Sequence, residues 1–172
     1  MTEQPPLDSG FPAIAEHSAC ILILGSMPSI KSLEQQQYYA HPRNAFWPIM
    51  AELFHFDKAL SYEKCCMSLI KNHIAVWDAI KTCHRPSSLD QHIDSASMIA
   101  NDFNVFFQNH PNIEHIFFNG TKAEQVFNRH VLPALNEQQS NIARLRLPST
   151  SPAHAAMTFE QKLALWQHTI IG

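Results

Sequence analysis

Apolar runs that halt at small or polar residues recur along the chain. Cys20 to Leu24 stops at Gly25, Ile74 to Trp77 stops at Asp78, and Ile113 to Phe118 stops at Asn119-Gly120. Short continuous apolar runs closed by turn formers predict strands buried on both faces. A fourth run, Asn141 to Leu147, sets Ile142, Leu145 and Leu147 against Arg144 and Arg146 and predicts a strand by alternation.

Between these runs the spacing turns helical. Phe46, Trp47, Ile49, Met50, Leu53 and Phe54 recur at three and four, with Asn44 where an N-cap belongs. Ser61 to Asn72 predicts a second helix capped by Ser61. Asp94 to Asn109 predicts a third, with Ile99, Phe103, Phe106 and Phe107 inward, before His110-Pro111-Asn112 breaks it. Thr121 to His130 is a fourth, and Thr158 to His168 a last one with Phe159, Leu163 and Trp166 inward. Thr82 to Asp90, with its Arg85-Pro86-Ser87-Ser88 core, is expected to be a loop.

Strands alternating with helices imply a parallel sheet covered on both faces. The expected fold is α/β: a single three-layer α/β/α domain over residues 12–172, built on a mainly parallel four-stranded sheet. Residues 1–11 are expected to form a loose arm. The strand ends carry Gly, Asp, Asn or Pro-Ser, so polar residues should gather on one rim of the sheet, where ligands bind in open α/β folds.

Charge changes this picture little. The net charge is −3 with 11 histidines in 172 residues, so there is no basic footprint of the sort nucleic-acid binders show. Loop amides and helix ends can still hold phosphates. The four cysteines, Cys20, Cys65, Cys66 and Cys83, follow no metal-ligand spacing, and the polar, Pro-rich Met1 to Gly10 has no signal-peptide core. No metal and no cofactor are expected, and a reducing, cytoplasmic setting is. No run reaches the ~20 apolar residues of a membrane span.

Two segments carry the chemistry. Gly25-Ser-Met-Pro-Ser29 is followed by Tyr38-Tyr-Ala-His-Pro-Arg-Asn-Ala-Phe-Trp47, and Leu147-Pro-Ser-Thr-Ser-Pro-Ala-His154 lies near the C-terminus. The first resembles the first motif of the uracil-DNA glycosylase superfamily, and within it the hypoxanthine-DNA (DNA-deoxyinosine) glycosylase branch. The second is similar to the superfamily's second motif. Val76-Trp77-Asp78, Ser88-Leu89-Asp90 and Phe117-Phe118-Asn119-Gly120 fit the same branch. The resemblance spans 21–166.

It implies a monofunctional glycosylase that uses water to release deaminated bases from DNA, hypoxanthine first and uracil or xanthine after it, with a uracil or mismatch-specific DNA glycosylase as the alternative; a monomer is expected. A base must leave the stack to be reached, which calls for a pocket with an aromatic platform, polar groups on the base edge and a hold on phosphates. Tyr38 or Tyr39 is the platform, unless the ring packs under the helix instead. Asn119 carries a donor and an acceptor suited to an N1–H/O6 edge, or else is a turn former. Ser26 and Met27 complete the base-binding set. By the resemblance Asn44 is the catalytic residue; by position it is a helix cap. Many relatives carry Asp or Asn where Met27 stands, and Met27 cannot orient water, so Asn44 is expected to fill that role. DNA contacts are expected from Ser29, His41, Arg43, Ser149, Thr150, Ser151 and Pro152, with His154 at the tip of the loop that enters the helix. Asp78 reads as a salt bridge or cap ahead of a catalytic acid, and stands with His41 next in line should Asn44 prove structural; Trp77 reads as core. A serine hydrolase using Ser26 or Ser29 lacks the Gly-x-Ser-x-Gly elbow, and a flavodoxin-like binding module lacks a glycine-rich phosphate loop.

Overall fold

The computed structural model describes residues 6–172. In chain order it contains β1 (Asp8–Ser9), β2 (Ile21–Gly25), α1 (Ile30–Gln35), α2 (Phe46–Phe54), α3 (Tyr62–Lys71), β3 (Ile74–Asp78), β4 (Ile80–Cys83), β5 (Ile99–Ala100), α4 (Phe103–Asn109), β6 (His115–Asn119), α5 (Thr121–Val126), α6 (Glu137–Ser140), β7 (Ala143–Leu147) and α7 (Phe159–Ile170). Four strands form a fully parallel sheet in the order β3-β2-β6-β7. Side-chain alternation divides the core between its faces. Ile23, Ile74, Val76 and Phe117 pack with Phe46, Ile49 and Met50 of α2, Leu69 of α3 and Trp166 of α7. Leu22, Leu24, Ala75, Ile116 and Phe118 pack with Phe103, Phe106 and Phe107 of α4 and Ala123 and Val126 of α5. Helices thus cover both faces of the sheet.

The structure differs from the sequence expectation in several places. Of the helix expected over 94–109 only Phe103–Asn109 forms, capped by the Asp102 side chain. Upstream, Asp94 accepts from the Ala96 N–H and the Ser97 hydroxyl, so short polar side chains divert the backbone into a turn. Ile99 is then exposed in β5 rather than inward. Thr82 and Cys83 are not loop: they belong to β4, the centre of a small antiparallel sheet β1-β4-β5. The helix from Thr121 is α-helical to Val126 and continues in a wider π-type turn over Phe127–Val131. Leu145 and Phe159 are exposed, not inward. Leu145 opens onto a groove between the edge strand β7 and the end of α7. Two short helices, α1 and α6, had no apolar spacing to announce them.

The N-terminal arm divides. Residues 1–5 lie outside the described residues, but Pro6 to Phe11 are not loose. Asp8 and Ser9 pair with Cys83 and Thr82, and the Phe11 carbonyl accepts from the Tyr38 hydroxyl (3.3 Å) and from Trp77 Nε1 (3.1 Å).

Candidate active site

The site begins as a row of side chains at the carboxyl ends of three adjacent strands. Gly25 pairs with Asp78, and the register of β2 with β6 runs through Leu24 and Phe118, which sets Asn119 on the other flank of Gly25. By strand alternation all three face the side of the sheet covered by α2. The middle residue has no side chain, so the row is a slot with Asp78 on one wall and Asn119 on the other. The slot is needed. A Cβ at Gly25 would overlap Asp78 Oδ1 and lie 2.9 Å from the Tyr39 hydroxyl. The slot opens into a pocket of about 270 Å³ lined also by Ser26, Met27, Asn44, Asp90 and His154. That is small beside ligand pockets of ~300–1,000 Å³.

The two tyrosines part company at Tyr39, whose φ of 54° is left-handed. A bulky residue held there costs ~1–2 kcal/mol. The turn sends Tyr38 into the core, where it is buried and its hydroxyl donates to the carbonyls of Pro12 (2.9 Å) and Phe11. Tyr39 stacks on Phe46 with centroids 4.0 Å apart and carries its hydroxyl to the slot. There Tyr39 Oη is buried without a hydrogen-bond partner among the described residues. Burial raises its pKa and the neighbouring Asp78 adds to the rise, while the Asn119 amide, near enough to polarise the hydroxyl but outside hydrogen-bond geometry, lowers it. Both tyrosines line the pocket: Tyr39 brings its hydroxyl to the slot, and Tyr38 is buried, with its hydroxyl turned to the Pro12 and Phe11 carbonyls.

Asp78 is buried, and its Oδ2 likewise has no partner. Burial pushes its carboxyl up to about 7, the Asp90 charge adds to the rise, and Arg85 opposes it. Arg85 is buried too, with Nη2 donating to the Pro28 carbonyl and standing 3.7 Å from Asp8. Asp78 makes neither the salt bridge nor the cap expected of it.

Asn119 is engaged. Its Nδ2 donates to Thr150 Oγ1 and its Oδ1 accepts from the Thr150 N–H, both at 2.9 Å. The backbone donor fixes which amide atom is oxygen. One donor hydrogen and one lone pair remain, enough to touch a ligand but not to read it freely. Thr150 is buried at 1% exposure, so its hydroxyl clamps the loop and is not offered to phosphate. Its carbonyl accepts from the Ala45 N–H, which ties the two motif loops together. Ser149 and Ser151 bond within the loop: Ser149 Oγ accepts from the Ser151 N–H and Ser151 Oγ from the Ala153 N–H. Lys162 of α7, its pKa lowered by burial, donates to the Ser151 carbonyl at 3.2 Å and braces the loop from behind.

Asn44 is not the N-cap expected from its position: the cap of α2 is Ala45, without a side-chain bond, and Asn44 stands one residue earlier. Its Oδ1 accepts from the N–H of Phe46 (2.9 Å), the first residue of α2, and its side chain lines the pocket. Ser29 caps α1 through the Ser32 N–H, and Met27 packs into the core beneath the pocket. His41 Nδ1 accepts from the Arg43 N–H, a turn contact, and neither residue lines the pocket. Pro152 is half-buried beside the pocket's Ser151, and His154 reaches the mouth.

Comparison with known proteins agrees with this geometry. The family profile of the Uracil DNA glycosylase superfamily matches residues 11–169. The chain belongs to the uracil DNA glycosylase superfamily. It is 38% identical to the hypoxanthine DNA glycosylase of Methanosarcina acetivorans over 115 residues, covering 66% of this chain and 72% of that one. Identity to the hypoxanthine DNA glycosylase of Methanosarcina barkeri is 33% over the same shares. The solution NMR structure of a Methanosarcina acetivorans protein proposed to be a uracil DNA glycosylase superposes with a TM-score of 0.76 at 32% identity, covering 95% of this chain and 98% of that one.

Within this glycosylase fold the pocket has members that sequence reasoning left out of the site: Gly25, Asp78, Ser88 and Asp90. The Ser26 hydroxyl donates to Asp90 Oδ1 at 2.6 Å, and Ser88 Oγ accepts from the Ile30 N–H, so the 88–91 loop folds over the pocket. The signal was present: Ser88-Leu89-Asp90 is one of the segments that carry the family resemblance, yet it suggested no role.

Proposed function

We propose that this protein hydrolyses the N-glycosidic bond of deaminated bases in DNA, hypoxanthine first and uracil or xanthine second. The observation that carries the reading is the Gly25 slot between Asp78 and Asn119 with Tyr39 above it, in a chain of this superfamily. A flipped base enters the pocket into which that slot opens, lies against Tyr39 and meets the remaining donor and lone pair of Asn119. Asn44 holds the attacking water. An amide is no base near neutral pH, so its work is orientation, and the barrier falls mainly by stabilising the departing base and the cationic sugar. The backbone of the Ser149-Thr150-Ser151-Pro152 loop, with Ser29, His41 and Arg43 at the periphery, holds phosphates, and His154 enters the space the base leaves. The four free thiols support a cytoplasmic setting. No helix among the described residues is long and apolar enough to cross a membrane.

The test is a duplex bearing one deoxyinosine, incubated in chelator and then cleaved with alkali. Cleavage at the inosine and none at a matched adenine is expected. Cleavage at uracil alone would shift the reading to a uracil glycosylase. Asn44→Ala should lower single-turnover excision ~10²–10³-fold, the scale of one preorganised polar contact. The lost contact with the Phe46 N–H alone costs ~1 kcal/mol and a few degrees in Tm. A nearly full rate in Asn44→Ala would make Asn44 a support for the start of α2 and nothing more.

A further inference from the structure

Two polar side chains of the slot each carry a buried atom without a partner, and the two side chains converge. Asp78 Oδ2 and Tyr39 Oη are both buried and unbonded among the described residues, and the same point above Gly25 is contacted by Asp78 Oδ1, the other oxygen of that carboxyl, and by the Tyr39 hydroxyl. Buried polar groups are bonded in the great majority of cases, so two under-satisfied side chains meeting at one spot call for a ligand that engages both. Neither is supplied by secondary structure. Asp78 ends β3, and its carbonyl, not its carboxyl, is what Asn101 Nδ2 holds at 2.7 Å.

We propose that Asp78 is the acid of the reaction: its carboxyl donates a hydrogen bond to a ring nitrogen of the extruded purine and passes it the proton as the base departs. The inference rests on the glycosylase reading above. In the step, the Asp78 carboxyl O–H bond breaks and an N–H bond forms at N7 or N3 of the purine. The C1′–N9 electron pair goes to the base, which leaves neutral. Water oxygen bonds to C1′, and the proton it sheds returns through solvent to the Asp78 carboxylate. Nothing is oxidised or reduced, and no further reactant is needed. Tyr39 Oη donates to the same base or to Asp78 Oδ1 and keeps the pair aligned.

The electrostatics suit the task. A general acid works best with a pKa near the operating pH, and burial holds this carboxyl at about 7. The charged and titratable groups that face it are Asp90 from the covering loop, which favours the protonated form, Arg85, which opposes it, and the phenols Tyr38 and Tyr39.

The experiment is single-turnover excision from a deoxyinosine duplex between pH 5.5 and 9 by wild type and Asp78→Asn, with melting of both. Expected for the wild type is a rate that declines as pH rises through about 7. Asp78→Asn keeps shape and hydrogen-bonding capacity but has no proton to give. It should lose ~10²–10⁴-fold at pH 6, the range of general-acid effects, and lose the pH decline with it. Duplexes bearing 7-deaza- or 3-deazadeoxyinosine remove one acceptor each. Wild type should be slow on one of them, and Asp78→Asn should cost nothing further on that one. A pH-flat wild type overturns the inference, as does a folded Asp78→Asn at near wild-type rate, or an equal Asp78→Asn loss on both deaza duplexes. If Asp78→Asn fails to fold, the wild-type pH profile and deaza rates decide alone. A wild type inert on deoxyinosine at every pH overturns the hypoxanthine reading and this inference together; an active one that fails the other arms overturns this inference only.

Discussion

The two walls of the Gly25 slot treat their polar side chains in opposite ways. On the β6 side Asn119 is locked to Thr150 by two hydrogen bonds, and Thr150 in turn receives the Ala45 N–H. On the β3 side Asp78 is at least as buried, yet Oδ2 has no partner and the facing Tyr39 hydroxyl has none either. An unmade bond at a buried polar group costs ~1–3 kcal/mol. The difference teaches how to tell a scaffold contact from a substrate contact in one row of side chains. The Asn119 wall fixes where the second motif loop sits. The Asp78 wall leaves its bonding capacity unused among the described residues.

Removing the gap between the walls should have the largest effect. Gly25→Ala places a methyl against Asp78 Oδ1 and the Tyr39 hydroxyl. The Gly25 backbone is ordinary strand, so the alanine is compatible with it and the damage is confined to the slot. A displacement of about 1 Å in a reacting group can cost ~10²-fold in rate. We expect at least that loss of single-turnover excision, measured beside circular dichroism to show an intact fold. A Gly25→Ala protein with the wild-type rate would mean that the base binds elsewhere in the pocket.

Breaking the locked wall should act first on stability. Asn119→Ala removes both bonds to Thr150 and leaves its buried N–H unpaired, a cost of ~1–3 kcal/mol. In a chain of this size each kcal/mol moves Tm by ~2–4 °C. Amide exchange should quicken at Thr150 and Ser151 before it quickens in β6. If Asn119→Ala melts with the wild type, the clamp is not what holds the loop, and the contrast between the walls loses one side.

Much of this arrangement was legible in the sequence. Buried parallel strands announce themselves as apolar runs, and Gly25, Asp78 and Asn119 each stood out as the residue where a run stops. What the pattern could not carry was register. Only strand pairing sets Asp78 and Asn119 on either side of Gly25 and on one face, so Asp78 read as a salt bridge. Only burial tells that it is unpaired. The tyrosine pair was visible, but Tyr38 and Tyr39 separate through a left-handed φ, which a sequence does not print. Asp94 to Asn101 failed for another reason: apolar spacing suggested a helix, while Asp94 and Ser97 bonded to the backbone locally and stopped it. Pro6 to Phe11 looked like an arm because the partners that hold it, β4, Tyr38 and Trp77, are distant in sequence.

The smallest effect, and the one that most directly weighs the open wall, is on the pH dependence of stability. In the folded chain Asp78 keeps its proton up to about pH 7, against an ordinary carboxyl value of 3.8. Between those values the folded state binds more protons than the unfolded one, so the contribution of this group to stability falls as pH rises. It is complete below pH 4, declines through the interval and levels off above 7. Asp78→Asn has no proton to lose. The melting temperature of Asp78→Asn relative to wild type should therefore climb by several degrees from pH 5 to pH 8, on the scale of ~2–4 °C per kcal/mol. Taking the difference between the two proteins cancels the titration of every other carboxylate and histidine. The locked wall supplies the control: Asn119→Ala carries no titrating group, and its offset from wild type should stay constant over the same range. A constant offset for Asp78→Asn as well would mean that the Asp78 carboxyl titrates as an ordinary, well-solvated acid and that the two walls differ only in hydrogen bonding.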